Sequence, residues 1–230
     1  MIETLLPAPV QAVDAFGDRL ADPHPEEERL VQRAVAKRRN EFLTVRSCAR
    51  TALVRLGVPA GPLVPGRGGA PTWPPGVVGS MTHCAGYRAA AVARVGAYAS
   101  VGIDAEPDER LPAGVLAAVA LPRERAWCRR SGTQPVCLDR LLFSAKEAVY
   151  KAWYPLTGRV LDFPDVEVTV DAGAGRFSAL VADEVVAATG GPASFDGRWL
   201  AARGLIVTTV VVPAPRPCPP PVSGGVVAAR

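Results

Sequence analysis

Two long stretches of helical periodicity, roughly 26–56 and 136–154, are each followed by apolar runs of strand length, and this alternation limits the layouts open to the chain. In the first stretch Leu30, Val31, Ala34, Val35, Val45, Ala49, Ala52, Leu53 and Leu56 share one broad face at about 100° per residue. Glu26, Glu27 and Glu28 suit its start, and Gly57 with Pro59 its end. If the helix is continuous, Arg38 falls near the middle of that apolar face and Arg46 at its edge; a break near Asn40 shifts the phase. The second stretch carries Leu138, Leu141, Leu142, Ala145, Val149 and Ala152 on one stripe, and its end is expected at Pro155. Between the helices lie a Gly/Pro-rich loop (57–79), a hydroxyl-rich turn (80–83), strands at 87–95 and 98–103, and Pro-containing loops leading to Arg123, Arg125, Arg129 and Arg130. After the second helix, 165–170 and 176–181 read as a hairpin, and 195–202 and 205–212 as a pair turning at Arg203-Gly204. The order helix–strands–helix–strands predicts an α+β fold in two halves, 1–102 and 103–212, followed by a Pro-rich disordered tail, 213–230.

Composition narrows the function classes. With 49% hydrophobic and 21% charged residues, the 230-residue chain can bury a core without disulfides. The net charge of +4 falls to +2 once Arg216 and Arg230 of the tail are set aside, which does not suggest a nucleic-acid partner. The start lacks a cationic, then apolar, export signal, and no apolar run is long enough to span a membrane. Cys48, Cys84, Cys128, Cys137 and Cys218 are scattered, and His24 and His83 are the only histidines, so a structural zinc site is not expected and a reducing cytoplasm is.

Four constellations carry possible chemistry. In Val101-Gly102-Ile103-Asp104-Ala105-Glu106-Pro107, extended backbone turns Asp104 and Glu106 to the same side at the end of an apolar strand. Paired hard oxygen donors suit Mg²⁺; the alternative is a solvated strand end with two independent acids. In Phe143-Ser144-Ala145-Lys146-Glu147-Ala148-Val149-Tyr150-Lys151, Glu147 and Lys151 stack one helical turn apart, which an ordinary exposed ion pair would also explain. Ser80-Met81-Thr82-His83-Cys84 offers hydroxyls and an imidazole to a phosphate, or a structural histidine. Arg38 and Arg46 on an apolar face call for an anion, unless the helix breaks and both are solvated.

Taken together, Gly102-Ile103-Asp104-Ala105-Glu106 followed by Phe143-Ser144-Ala145-Lys146-Glu147-Ala148 and Lys151 resembles the paired signature of the 4′-phosphopantetheinyl transferase superfamily. Lys37-Arg38-Arg39-Asn40-Glu41-Phe42 through Arg46, and Gly79-Ser80-Met81-Thr82-His83-Cys84, resemble the branch containing enterobactin synthetase component D and its actinobacterial relatives. The resemblance implies two similar α/β halves related by a pseudo-twofold axis. It implies transfer of the phosphopantetheine arm of coenzyme A to a serine of an apo acyl or peptidyl carrier protein, releasing 3′,5′-ADP. It further implies Mg²⁺ held by Asp104, Ala105 through its carbonyl, Glu106 and Glu147. Coenzyme A would be held by Arg38, Arg46, Arg67, Ser80, Thr82, His83, Asp104, Lys146 and Lys151, with Glu147 and Lys151 catalytic. Phe143 stands where the family commonly has tryptophan, and Pro65 where relatives often place a lysine. A cytoplasmic monomer is expected. The competing readings are another metal-dependent enzyme acting on a diphosphate, such as a hydrolase, and a non-catalytic module that binds coenzyme A or a carrier protein.

Overall fold

The computed structural model describes residues 1–19, 23–130 and 136–215. The first half is a three-stranded antiparallel sheet in the order β1 (Gln11–Phe16), β3 (Tyr87–Arg94), β2 (Val77–Cys84). Strand β3 is covered on both sides: Tyr87, Ala89, Ala91 and Ala93 enter one core and Ala90 and Val92 another, so its sequence is one apolar run. The expected helix over 26–56 is divided into α1 (Pro25–Val31) and α2 (Ala36–Arg55). The break lies upstream of Asn40, leaving Leu30 50% and Val35 74% exposed, while Arg38 and Arg46 stay on one continuous helix. Helix α2 buries Ala49, Ala52 and Leu53 against the sheet. The segment 80–83, expected as a turn, lies within β2, and β1 has no counterpart in the sequence reading.

Strand β4 (Tyr98–Pro107) belongs to a second sheet with β5 (Val166–Asp171), β6 (Arg176–Val181), β7 (Ser194–Ala202) and β8 (Leu205–Pro213), in the order β4-β8-β7-β6-β5, all antiparallel. Strand β8 takes in the first residue of the stretch expected as a tail; 216–230 lie outside the described residues. Short helices α3 (Val115–Val119) and α4 (Pro122–Arg130) form where loops were expected, and α6 (Asp183–Thr189) joins β6 to β7. The basic stretch can be helical because Pro122 sits at the start of α4 and the Glu124 carboxylate caps it, accepting from Leu121 N at 2.6 Å. Helix α5 (Leu138–Thr157) runs through Pro155 instead of ending there. Only Leu156 and Thr157 remain beyond the proline, and the helix closes on Gly158, left-handed at φ 65°, whose N–H reaches Tyr154 O at 2.8 Å. No helix among the described residues is long and apolar enough to cross a membrane.

The packing of α5 on β4 positions the site. Val101, Ile103 and Ala105 enter the core shared with the first sheet, and the alternate residues Ser100, Gly102, Asp104 and Glu106 face α5. Two strand residues advance about 6.7 Å and four helix residues about 6 Å, so alternate strand positions keep step with every fourth helix position. Running in opposite directions, Ser100 donates to Ala152 O at 2.7 Å, and Gly102 lies under Ala148 and Ala152. Asp104 meets Ser144, and Glu106 meets Arg140. A β-carbon on Gly102 would collide with the carbonyl of Ala148 and come within 2.7 Å of the Ala152 nitrogen.

Lys146 points to the other side of α5. Its ammonium donates to Val119 O and Phe163 O, each at 2.9 Å, and pairs with Glu124 at 2.8 Å, with both side chains buried. Glu124 in turn accepts from Leu121 N and Val168 N. This hub ties α3, α4 and β5 to α5. Two expectations follow. Gly102→Ala should lower stability by about 1–3 kcal/mol, because backbone must move to admit the methyl, read as a fall in thermal midpoint; an unchanged midpoint would contradict the packing. Lys146→Met should cost about 3–5 kcal/mol by stranding a buried carboxylate, measured by urea unfolding. Unaltered stability with lost coenzyme A affinity would instead return Lys146 to the ligand.

Candidate functional site

Asp104 is the centre of the polar cluster. It is 4% exposed, and its Oδ1 accepts from Lys151 Nζ at 2.6 Å and from the Thr82 hydroxyl at 3.2 Å, while Oδ2 accepts from Ser144 Oγ at 2.9 Å. Ser144 is held by Thr208, whose hydroxyl lies 2.9 Å from both its Oγ and its carbonyl oxygen. Glu106 is paired with Arg140 at 2.8 Å, and the same guanidinium donates to the carbonyls of Glu109 and Arg110. Burial and the nearby Asp104 raise the Glu106 carboxyl above its ordinary range, with Arg140 pulling the other way. Burial likewise raises Glu147, opposed by Lys151 and reinforced by Asp104.

The first half contributes cations across the seam. Arg38 donates to His83 Nε2 at 2.8 Å, so that nitrogen carries a lone pair and the ring is neutral. Burial lowers the His83 pKa, and Arg38, Lys151 and Arg88 lower it further against Glu41. His83 is thus in electrostatic contact with both Arg38 and Lys151, which joins the two halves at one place. Cys84, beside His83, has its thiol pushed up to about 12 by burial and then by Glu106 and Asp104, so it is no nucleophile.

Of the remaining expected site residues, Thr82 belongs to the Asp104 cluster and the others are dispersed. Arg46 is 6% exposed: Nε donates to Leu63 O at 2.7 Å, and the guanidinium carbon sits 3.2 Å from the Phe42 ring centroid. Burial lowers its pKa to about 10, still a cation at neutral pH. Ser80 and Thr82 are buried at the seam between β2 and β4, where Ser80 Oγ accepts from Ile103 N and Thr82 Oγ1 from Ala105 N, both at 3.1 Å. Arg67 lies on the exposed glycine loop, whose main chain is tied to the second half by Tyr154 Oη donating to Arg67 O at 3.3 Å. Lys146 stands apart in its pair with Glu124.

Beside Lys151 a cleft of about 380 Å³ opens between Gly68, Gly69, Trp73 and Met81 of the first half and Tyr150 and Tyr154 of α5. The sequence reading passed over these aromatics, and also Ser144, Thr208 and Arg140. Ser144 and Arg140 were recoverable from the helical wheel, since 140, 144, 147, 148 and 151 share a face. Trp73, inside an irregular loop, left no periodic signal.

Among the described residues no group of three His, Cys, Asp or Glu side chains is gathered closely enough to hold a metal ion unaided. The donors that are present, three carboxylates and the Ala105 carbonyl, are hard oxygens only. Asp104 acts electrostatically on both Glu106 and Glu147. Such a set fits Mg²⁺, which keeps waters and takes phosphate oxygens from a substrate.

Comparison with known proteins agrees with this geometry. Residues 26–93 match the family model of the 4′-phosphopantetheinyl transferase N-terminal domain, and residues 100–194 that of the 4′-phosphopantetheinyl transferase superfamily. The chain is 56% identical over 225 residues to the 4′-phosphopantetheinyl transferase Svp of Streptomyces mobaraensis, covering 94% of this chain and 90% of that protein. It is 48% identical over 222 residues to PptT of Mycobacterium tuberculosis, covering 92% and 98% respectively. With Npt of Nocardia iowensis the identity is 49% over 221 residues, covering 91% and 99%. Two family models matched in succession along the chain, and relatives matched almost end to end, place the chain in the 4′-phosphopantetheinyl transferase superfamily.

Proposed function

We propose that the chain transfers the 4′-phosphopantetheine arm of coenzyme A to a serine of an apo carrier protein, with Glu147 as general base. The observation that carries the assignment is the difference between the three acids. Asp104 is held by Lys151, Thr82 and Ser144, and Glu106 by Arg140. Among the described residues no hydrogen-bond donor is set on Glu147, which is half-buried on the open face of α5. A carboxylate without a fixed partner is the one able to take a proton from an incoming hydroxyl.

The serine oxygen forms a bond to the phosphorus that carries pantetheine, the bond from that phosphorus to the bridging oxygen breaks, and 3′,5′-ADP departs. Glu147 receives the serine proton. Lys151, one helical turn on, faces the charge that develops on the departing phosphate. Arg38 supplies a cation for a terminal phosphate of coenzyme A, beside neutral His83. The cleft lined by Trp73, Met81, Tyr150 and Tyr154 offers an apolar channel of a size suited to the pantetheine arm. Mg²⁺ would be held by Asp104, Glu106, Glu147 and the Ala105 carbonyl, and when bound it neutralises the diphosphate. No enzyme nucleophile is needed, in keeping with the inert Cys84 thiol. A cytoplasmic monomer remains our expectation for its working state.

Glu147→Gln should keep fold and coenzyme A affinity while transfer falls by roughly 10²–10⁴-fold, followed by the intact mass of an apo carrier protein incubated with coenzyme A and Mg²⁺. Transfer at the wild-type rate would remove Glu147 from the role. Arg38→Ala should raise the KM for coenzyme A by roughly 10-fold, the loss of one charge-assisted contact, with a smaller change in kcat. A KM left at the wild-type value would exclude Arg38 from phosphate binding.

A further inference from the structure

We propose that Thr82 acts in this reaction as a positioning residue for Asp104, and not as a contact to the coenzyme. The inference rests on the transferase reading above and adds a role within it. Thr82 is only 3% exposed, so a diphosphate cannot reach its hydroxyl. That hydroxyl does two things at once: it accepts the Ala105 N–H at 3.1 Å and donates its proton to Asp104 Oδ1 at 3.2 Å. A neutral threonine has one proton to give, so its orientation is set by the main chain of the strand that carries the acid.

The count of lone pairs on Asp104 gives this consequence. A carboxylate offers about four acceptor sites. Oδ1 is taken by Thr82 and Lys151 and Oδ2 by Ser144, so among the described residues one site, on Oδ2, is left for a ligand. Thr82 comes from the first half, and Ser144 and Lys151 from α5 of the second. The carboxylate is therefore clamped between the halves, and its free lone pair has a fixed direction only while both hydroxyls are in place. Ser80 makes the comparable seam bond to Ile103 N without touching Asp104, and separates closure of the seam from aim of the acid. Groups that orient ligands in this way commonly alter metal affinity by roughly 10–100-fold when removed.

The test uses the full chain with Mn²⁺ in place of Mg²⁺. Free Mn²⁺ is followed by electron paramagnetic resonance with coenzyme A present, and coenzyme A affinity is measured separately by calorimetry without divalent metal. Thr82→Val is expected to weaken Mn²⁺ binding by roughly 10–100-fold while leaving metal-free coenzyme A affinity unchanged. Thr82→Ser restores the metal affinity, and Ser80→Ala leaves it at the wild-type value. If Thr82→Val does not fold, Ser144→Ala removes the clamp on the other oxygen, and the same fall in Mn²⁺ affinity is expected. Wild-type Mn²⁺ affinity in the folded Thr82 or Ser144 variant, or a matching loss of metal-free coenzyme A binding, would overturn the inference. So would equal losses in Thr82→Val and Ser80→Ala. In either case wild-type transfer to an apo carrier would leave the transferase reading standing, whereas a wild-type chain that neither binds Mn²⁺ nor transfers would overturn both.

Discussion

The close approach of α5 to β4 is the constraint on which the site depends. Gly102 lets the helix backbone settle onto the strand, with no side chain between them. Once Gly102 is seated, the strand and helix repeats leave little choice at the neighbouring positions. Asp104, two residues along, comes under Ser144 and within reach of Lys151, and Glu106, two further on, under Arg140. The signature spacing along β4 and along α5 is thus a packing register as well as a set of chemical groups. A residue with a side chain at 102 would displace the acids from their partners together, not one at a time.

The second determinant is how the two sheets meet. Strands β2 and β4 lie side by side but are not joined in a ladder; the N–H groups of Ile103 and Ala105 are satisfied by Ser80 and Thr82 hydroxyls. Side chains thus take over a role that backbone usually fills, and buried N–H groups are not left unpaired. Beneath the seam one apolar core draws Tyr87, Ala89 and Ala91 from the first sheet and Val101, Ile103 and Val207 from the second. The halves are fixed to one another there, which lets cations of the first half stand opposite acids of the second.

Much of this was legible in the sequence, for identifiable reasons. The stripe of α5 from Leu138 to Ala152 was readable because a helix packed on one face keeps its period, and all six of those residues are buried. Asp104 and Glu106 were readable because extended backbone at the end of an apolar strand turns residues two apart to the same side. The break between α1 and α2 is hidden in the sequence because Leu30, Ala34 and Val35 continue the apolar period across it, although Leu30 and Val35 are exposed. Helix α4 gives no helical signal in the sequence because charged residues dominate its composition, and its cap, Glu124, is recognisable only through Leu121 and Val168. Lys146 shows the limit most plainly. Within Ser144-Ala145-Lys146-Glu147, a lysine next to the proposed general base reads as a phosphate ligand. Helical geometry turns it about 100° from Glu147, into a buried pair whose partner lies 22 residues earlier in the chain.

The charge arrangement explains why the site is divided between halves. Had the cations and acids of this cluster all sat on one element, each would have found a near neighbour and formed a closed ion pair. Here Arg140 closes Glu106, and Lys151 is shared with Asp104, but Arg38 is set on a neutral imidazole. A guanidinium directed at a neutral acceptor keeps its full charge for an anion. On the facing half Glu147 keeps its carboxylate without a fixed donor among the described residues. Within this cluster, among the described residues, the first half offers a cation set on a neutral acceptor and the second an acid with no fixed hydrogen-bond donor. In the proposed reaction the phosphates of coenzyme A would meet the cation and the hydroxyl of the carrier serine the acid, and the seam is where the two groups face each other.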